Sequence, residues 1–211
     1  MARKLPPGLA HRNRFHSGLM PLHFPEMRLF AAVPLPEQAL ADAGAILDSL
    51  RASSWPVRWV RPEGLHITLK FFGEVVPERL DTIAEMLGFA VEGVPRLKLS
   101  LAGAGVFPDL QRPRVVRLEL RGNTEGVELL QDRLERGGLR IGFPPEGRPF
   151  RPHITLGRVQ EGQRLPAEAA AVLTAVGARP EFEADRVVLY ESFQTPHGPV
   201  YDPRAEMVLG A

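Results

Sequence analysis

The sequence contains no cysteine. Disulfide bonds, thiolate catalysis and cysteine-ligated zinc are therefore excluded. It also has no uninterrupted apolar run near the ~18 residues that a membrane-spanning helix requires, and its N-terminus lacks the apolar core of a secretory signal peptide. These absences predict a cytoplasmic protein.

The sequence also lacks an excess of either charge. Lys and Arg number 26 against 25 for Asp and Glu, so the formal charge is +1. No global field would attract a long polyanion, and any contact with nucleic acid is expected to be local. The basic residues are mostly arginine, whose planar guanidinium suits phosphate. A length of 211 residues, 44% of them hydrophobic, predicts one domain with ample core.

The first 26 residues are rich in proline and histidine and show no sustained period, which predicts an irregular or disordered extension. His11, His16 and His23 are interpreted there as solvated side chains rather than metal ligands. The folded domain is predicted to occupy residues 27–211.

Helices and strands alternate along this domain. The predicted helices are 36–50, 77–91, 124–136 and 166–176. The predicted strands begin at Met27 and continue with 57–60, 65–76, 96–103, 114–120, 153–159, 182–193 and 205–209. The link between 57–60 and 65–76 is too short for a parallel crossover, so the pairing must be antiparallel and the class α+β.

The most informative motif is the tetrapeptide His-Ile-Thr-Leu, which occurs at 66–69 and again at 153–156. Each copy follows a proline-containing loop and starts a predicted strand, which indicates an internal duplication. Alternation on a strand places His66 and Thr68 on one face, and likewise His153 and Thr155. Two halves related by a pseudo-twofold axis would bring these four side chains to one cleft.

The same alternation extends to the neighbouring positions. It places Lys70 on the face of His66, where a solvated lysine is expected. It places Arg158 on the opposite face from His153, unless Gly157 hosts a bulge that re-aims Arg158 toward the cleft.

Two facing histidines can form an acid–base pair, because imidazole titrates near neutrality. Threonine hydroxyls can donate to the non-bridging oxygens of a phosphate. Such a site suits a strained 2′,3′-cyclic phosphate, although it does not exclude other small phosphoesters. Without a carboxylate or a third histidine at ligand spacing, the set is poor for zinc, so no metal or other cofactor is expected.

The segments MRLFAAVPLP, HITLKFFGEV, RPHITLGRV and LYESFQTPHGPVYDPRAEMVL resemble the bacterial and archaeal 2′-5′ RNA ligase/RNA 2′,3′-cyclic phosphodiesterase family, which belongs to the two-histidine phosphoesterases. The resemblance runs from about Met27 to the C-terminus. It implies a bilobal α+β fold with pseudo-symmetric lobes, each with an antiparallel sheet and helices, at 27–95 plus 181–211 and at 96–180. It also implies metal-independent hydrolysis of RNA 2′,3′-cyclic phosphate ends to 2′-phosphates, with a possible ATP-independent 2′-5′ ligation.

The resemblance assigns roles to particular residues. His66 becomes the general acid and His153 the general base, although a pseudo-symmetric site could bind substrate either way round. Thr68, Thr155 and Arg158 would bind the substrate phosphate. The expected partner is RNA ending in a 2′,3′-cyclic phosphate, and the protein is expected to be a monomer.

Weaker expectations and rival functions remain open. Phe72 could stack a base, although a phenylalanine on a strand is more often part of the core, and Phe30 has the same ambiguity. His197 is interpreted as a loop residue. One rival function is a non-catalytic module that binds RNA ends, and another is a phosphodiesterase for a small cyclic nucleotide.

Overall fold

The computed structural model describes residues 26–196 and 198–210. Almost all of the predicted N-terminal extension, with its three histidines, lies outside these residues, as does His197. No helix in the described part of the chain is long and apolar enough to cross a membrane.

Nine strands and four helices make up the described chain. The strands are β1 Met27–Pro34, β2 Val57–Trp59, β3 His66–Val75, β4 Leu97–Phe107, β5 Val115–Gly122, β6 His153–Val159, β7 Phe182–Ala184, β8 Arg186–Thr195 and β9 Gly198–Val208. The helices are α1 Glu37–Arg51, α2 Leu80–Val91, α3 Thr124–Arg140 and α4 Ala169–Thr174, with short 3-10 turns at Pro62–Gly64 and Pro77–Arg79.

The strands form one sheet in the order β7-β4-β5-β6-β3-β1-β8-β9, with β2 also paired to β6. Every registered pairing between strands of this sheet is antiparallel. From the β6–β3 junction the order is symmetric, since β6-β5-β4 on one side matches β3-β1-β8 on the other. The predicted α+β class with two pseudo-symmetric halves is confirmed.

The two halves exchange a strand. β4 follows α2 of the first repeat but pairs with β5 of the second, and β8 follows α4 of the second repeat but pairs with β1 of the first. Each half of the sheet therefore needs chain from both repeats, which ties the halves into one folding unit.

Four predicted elements differ from the structure. The last strand, expected at 205–209, already starts at Gly198, because the whole of β9 pairs with β8. The single strand expected at 182–193 is wrong: it breaks at Asp185, because β7 pairs with β4 while β8 pairs with β1 in the other half. β4 continues through Phe107, which was expected in a loop. α3 continues past Gly137 and Gly138 to Arg140, because these glycines let Met86 and Lys70 pack against the helix rather than ending it.

The core lies between one face of the sheet and the helices. Ile67, Leu69, Ile154 and Leu156 from the two tetrapeptides are buried in it, as the alternation predicts. The apolar side of α1 joins them through Ala43, Ile46, Leu47 and Leu50. The intervening residues of the tetrapeptides point to the opposite face and are only partly buried. The open face of the sheet centre therefore carries the polar residues.

Candidate active site

β3 and β6 meet at the registered pair Ile67 and Ile154. In an antiparallel pair with this register, His66 lies alongside Thr155 and Thr68 alongside His153. Because side chains alternate, all four lie on the face opposite the two isoleucines. The structure thus brings together the two histidines and two threonines that the repeated motif singled out.

Both histidines are held in the same tautomer. Nδ1 of His66 lies 2.8 Å from the carbonyl oxygen of Gly64, and Nδ1 of His153 lies 2.7 Å from that of Arg151. A carbonyl oxygen only accepts, so each Nδ1 carries a hydrogen and donates. In the neutral ring Nε2 is then the free acceptor, and that of His66 lies 3.0 Å from the Thr68 hydroxyl. Each ring is fixed by its own backbone with Nε2 left for chemistry.

The site keeps both rings neutral in the free protein. Burial, opposed in part by the hydrogen bond to the Gly64 carbonyl and assisted by the charge of His153, lowers the pKa of His66 to about 4. Burial also lowers the pKa of His153, assisted by the charges of Arg117 and Arg158. The effect of the His153 charge on His66 reflects the proximity of the two rings.

A bulge follows each His-x-Thr sequence. Between β1 and β3, Ala31 pairs with Lys70 but Ala32 pairs with Thr68, so Leu69 is extra. Between β5 and β6, Val116 pairs with Gly157 but Arg117 pairs with Thr155, so Leu156 is extra. An extra residue inverts the alternation beyond it.

The bulges decide which neighbours reach the cleft. Beyond them, Lys70 and Gly157 turn inward, while Phe71 and Arg158 lie on the face of the histidines and are exposed. The charge of Arg158 lowers the pKa of both His153 and Tyr201, so Arg158 lies near both. The difficulty that simple alternation raised for Arg158 is thereby explained.

The prediction for Lys70 was wrong. The residue is 1% exposed, and Nζ lies 2.8 Å from a carboxylate oxygen of Glu135 on α3 and 3.2 Å from the carbonyl oxygen of Pro144. A Cβ on Gly138 would lie 2.6 Å from Cε of Lys70, so this glycine makes room for the lysine. Lys70 is a structural link between β3 and α3.

Phe72 is not in the cleft. It is 7% exposed and packs edge-to-face on Phe143 in the core, with ring centroids 5.1 Å apart. Its neighbour Phe71 is 48% exposed, and its ring lies 5.7 Å from that of Phe30. Phe30 is buried and lies 4.9 Å from the His66 ring. The aromatic side chain available at the cleft surface is therefore Phe71.

The two halves of the cleft differ in chemistry. Around His66 the rings of Phe30, Tyr190 and Tyr201 form one aromatic cluster, with Tyr201 edge-on to His66 at 5.3 Å. A Cβ on Gly64 would lie 3.2 Å from the Tyr201 ring, so the glycine permits this contact. Around His153 the ring of Phe107 lies edge-on at 5.3 Å, and arginines supply positive charge.

Sequence reasoning missed Tyr190, Tyr201, Phe107 and Arg117. None lies within a repeated motif, and each reaches the site only through strand pairing across the sheet. The strand register relates two of them to the site. Tyr190 pairs with Phe30 in one half of the sheet, and Phe107 pairs with Val115 in the other half.

Within residues 26–196 and 198–210, no cluster of three or more histidine, cysteine or carboxylate side chains could hold a metal ion.

The family model of the 2′-5′ RNA ligase superfamily matches residues 36–194. The chain belongs to this superfamily. The resemblance stated from the sequence motifs is confirmed.

Similar proteins come from archaea and bacteria. The chain is 36% identical over 181 residues to an RNA 2′,3′-cyclic phosphodiesterase of Methanothermobacter thermautotrophicus, covering 83% of this chain and 95% of that protein. It is 34% identical over 176 residues to a protein of the same name from Thermotoga maritima, covering 83% and 91%.

Solved structures share the fold over nearly the whole described chain. TT0787 of Thermus thermophilus superposes with a TM-score of 0.71 at 28% identity, covering 87% of this chain and 98% of that one. LigT of E. coli complexed with 3′-AMP superposes with a TM-score of 0.69 at 28% identity, covering 88% and 99%.

Proposed function

We propose that this protein hydrolyses 2′,3′-cyclic phosphate ends of RNA to 2′-phosphomonoesters, without a metal ion, by acid–base catalysis with His66 and His153. The observation that carries the proposal is the matched pair of imidazoles, each fixed through Nδ1 to a backbone carbonyl two residues upstream. The names of the relatives support the substrate class.

The reaction needs one group to take a proton and one to give it. We assign His153 as the base and His66 as the acid, as the family resemblance implies, and both rings have a lowered pKa in the free protein. Its Nε2 takes a proton from water as the water oxygen bonds to phosphorus. The P–O3′ bond breaks, and Nε2 of His66 gives its proton to O3′, which leaves the phosphate on O2′.

Other side chains stabilise charge and hold the nucleotide. The hydroxyls of Thr68 and Thr155 donate to the non-bridging oxygens, and the Arg158 guanidinium balances their developing charge. The cyclic phosphate carries a negative charge that raises the pKa of a nearby imidazole. His66 therefore takes up a proton from solvent when the substrate binds. Phe71, exposed beside the His66 half, offers a surface on which the terminal base stacks.

The same ring-opening step can use a nucleophile other than water. A 5′-hydroxyl of a second RNA in place of water, and a 2′,3′-cyclic phosphate as acceptor, would yield a 2′-5′ linkage without ATP. We expect hydrolysis to dominate in dilute RNA, because water is in large excess over any RNA hydroxyl. Ligation is measured as 2′-5′-linked product at high concentrations of RNA with 5′-hydroxyl ends.

The deciding experiment is turnover of a short RNA with a 2′,3′-cyclic phosphate end, in EDTA, by the intact protein, His66→Ala and His153→Ala. We expect a 2′-phosphate product from the intact protein and a loss of at least about 100-fold in kcat with each variant. Thr174→Val is a matched control for Thr68→Val and Thr155→Val, because the Thr174 hydroxyl bonds only within α4 to the Ala170 carbonyl at 2.8 Å.

The rival functions predict different outcomes. A non-catalytic module would bind the RNA end without turnover in any variant. A 3′-phosphate product would place the leaving group on O2′ instead. Activity that EDTA abolishes would contradict the metal-independent mechanism.

A further inference from the structure

Arg117 occupies the cleft face of β5. It pairs with Thr155 of β6 on one side and with Gly105 of β4 on the other. Paired residues of an antiparallel sheet point to the same face, so Arg117 shares the face of His153 and Thr155. The equivalent position in the other half is Ala32, which pairs with Thr68. A guanidinium is thus present in only one of the two related positions.

The Arg117 side chain reaches across β4 and stacks on Phe107. Its guanidinium carbon lies 4.1 Å from the centre of the Phe107 ring, and one terminal nitrogen lies 2.8 Å from a carboxylate oxygen of Glu119. A Cβ on Gly105 would lie 3.2 Å from that carboxylate oxygen and 3.9 Å from that nitrogen. Because it has no side chain, Gly105 leaves room for the ion pair of Arg117 and Glu119 on this face of β4.

One donor of Arg117 is unused. The Arg117 side chain is 13% exposed, and its buried Nε has no hydrogen-bond partner. In the described ranges 26–196 and 198–210, it is the only buried side-chain nitrogen or oxygen in this state. A buried N–H without a partner costs free energy, and an arginine in a cleft recovers it when an anion binds.

The position of Arg117 matches a second phosphate better than the reacting one. The Phe107 ring packs on the Arg117 guanidinium and also on His153, so it lies beside both. The base at C1′ and the 5′-phosphate carried by C4′ leave the ribose from opposite ends, on either side of the ring oxygen. With the terminal base stacked on Phe71 in the His66 half, the 5′-phosphate is directed toward the half that carries Arg117.

We propose that Arg117 binds the phosphodiester on the 5′ side of the terminal nucleotide, so that the site selects oligonucleotides over cyclic mononucleotides. This inference rests on the proposed function and names its substrate class more narrowly. Glu119 holds the guanidinium in the free protein. It is 49% exposed in its side chain and opposes the incoming phosphate by its own charge, so it has to release Arg117 on binding.

The test compares three substrates that share the same cyclic end. They are a nucleoside 2′,3′-cyclic phosphate, a dinucleotide with that end, and the same dinucleotide with an uncharged methylphosphonate linkage. Each is given to the intact protein, Arg117→Gln, Glu119→Gln and Arg121→Gln. Arg121→Gln is the matched control. Arg121 lies on the same strand and is exposed, and the substitution removes the same charge as Arg117→Gln.

We expect kcat/KM of the intact protein to be about tenfold or more higher for the charged dinucleotide than for the other two substrates. Arg117→Gln should remove most of this preference, mainly through KM, with a much smaller effect on the mononucleotide. Glu119→Gln should increase the preference by freeing Arg117, which provides a test even if Arg117→Gln folds poorly. Arg121→Gln should leave all three values unchanged.

Other results overturn the inference. Equal turnover of all three substrates by the intact protein would contradict the role of Arg117 in substrate selection, but not the proposed hydrolysis of the cyclic phosphate. Equal losses on all three with Arg117→Gln would mean that Arg117 acts on the reacting phosphate or on the fold. No turnover of any substrate by the intact protein would instead contradict the proposed function itself.

Discussion

Ile67 and Ile154 form the registered pair that joins the two halves of the sheet, and both are fully buried. Each is the second residue of a His-Ile-Thr-Leu copy, so the pseudo-twofold axis of the fold passes between them. Their burial fixes the two strands against the core. The side chains of the two His-x-Thr sequences therefore meet on the opposite face of the sheet. The duplication in the sequence is therefore also the geometry of the site.

The pH dependence of kcat/KM should be bell-shaped, with its maximum at acidic pH. kcat/KM reports the free protein, in which the pKa of His66 is about 4 and that of His153 is lowered from 6.5. One ring must be charged and one neutral, so above both pKa values the active fraction falls about tenfold per pH unit. We expect the maximum below pH 6.5, measured with initial rates from pH 3.5 to 9.

The profile of kcat should lie at higher pH than that of kcat/KM, because bound phosphate raises the pKa of both rings. Thr174→Val is the control, since it removes a hydroxyl that bonds to the Ala170 carbonyl on α4 and not to either histidine. A maximum of kcat/KM above pH 7 would show that burial does not depress these pKa values.

The sequence predicted the site better than it predicted its surroundings. His66, Thr68, His153 and Thr155 were found because a repeated motif on a strand fixes both residue type and face. Lys70 was misplaced because a one-residue bulge at Leu69 is invisible to a strict two-residue alternation. The bulge was foreseen at Gly157 only because glycine signals irregular backbone.

Residues on neighbouring strands needed the sheet register. Tyr190 and Phe107 lie far in sequence from the histidines they approach, and only the pairing of β8 with β1 and of β4 with β5 brings them near. The break at Asp185 was missed for a related reason, since residues 182–193 read as one apolar strand although its two parts pair in different halves.

Phe71→Ala should impair the binding of RNA, whereas Phe72→Ala should impair folding. Loss of one stacked base costs about 1–3 kcal/mol, so KM should rise by about 5- to 150-fold for Phe71→Ala with little change in the free energy of unfolding. Phe72 is packed against Phe143, and its removal should cost about 3–5 kcal/mol of stability. Urea denaturation and steady-state kinetics separate the two, and a reversed pattern would contradict the assignment of faces.

Gly157→Ala should disturb the bulge that presents Arg158. The added Cβ would lie 2.5 Å from Cγ1 of Val57 and 3.0 Å from the carbonyl oxygen of Arg58, so β2 has to move. We expect a loss of about 1–3 kcal/mol in the free energy of unfolding and a fall in kcat/KM similar to that of Arg158→Ala. Gly147→Ala is the matched control, because nothing lies within 4 Å of its added Cβ. An unchanged free energy of unfolding for Gly157→Ala would mean that β2 moves without loss of stability, which would contradict this prediction.

The Lys70–Glu135 ion pair should behave as a buried pair. Its two side chains are 0% and 14% exposed, so Lys70→Met leaves a carboxylate with little access to water and should cost about 3–5 kcal/mol. Lys70→Met with Glu135→Leu should recover much of this loss. The exposed pair of Arg136 and Asp132 is the control, and Arg136→Met should cost less than about 1 kcal/mol. Equal effects of the two single variants in urea denaturation would contradict the structural role of Lys70.

Acid should destabilise the fold through His66. Its pKa is 6.5 when unfolded and about 4 when folded, so the unfolded chain binds a proton first as the pH falls. The stability that the neutral ring contributes is complete above about pH 6.5 and is lost progressively toward pH 4. At pH 5 the loss is about 2 kcal/mol, from about 1.4 kcal/mol per pH unit. Urea denaturation at pH 7 and pH 5 measures it. His66→Asn should show a correspondingly smaller difference between the two, because asparagine does not titrate, whereas equal differences in both proteins would mean that burial of His66 costs its charged form little.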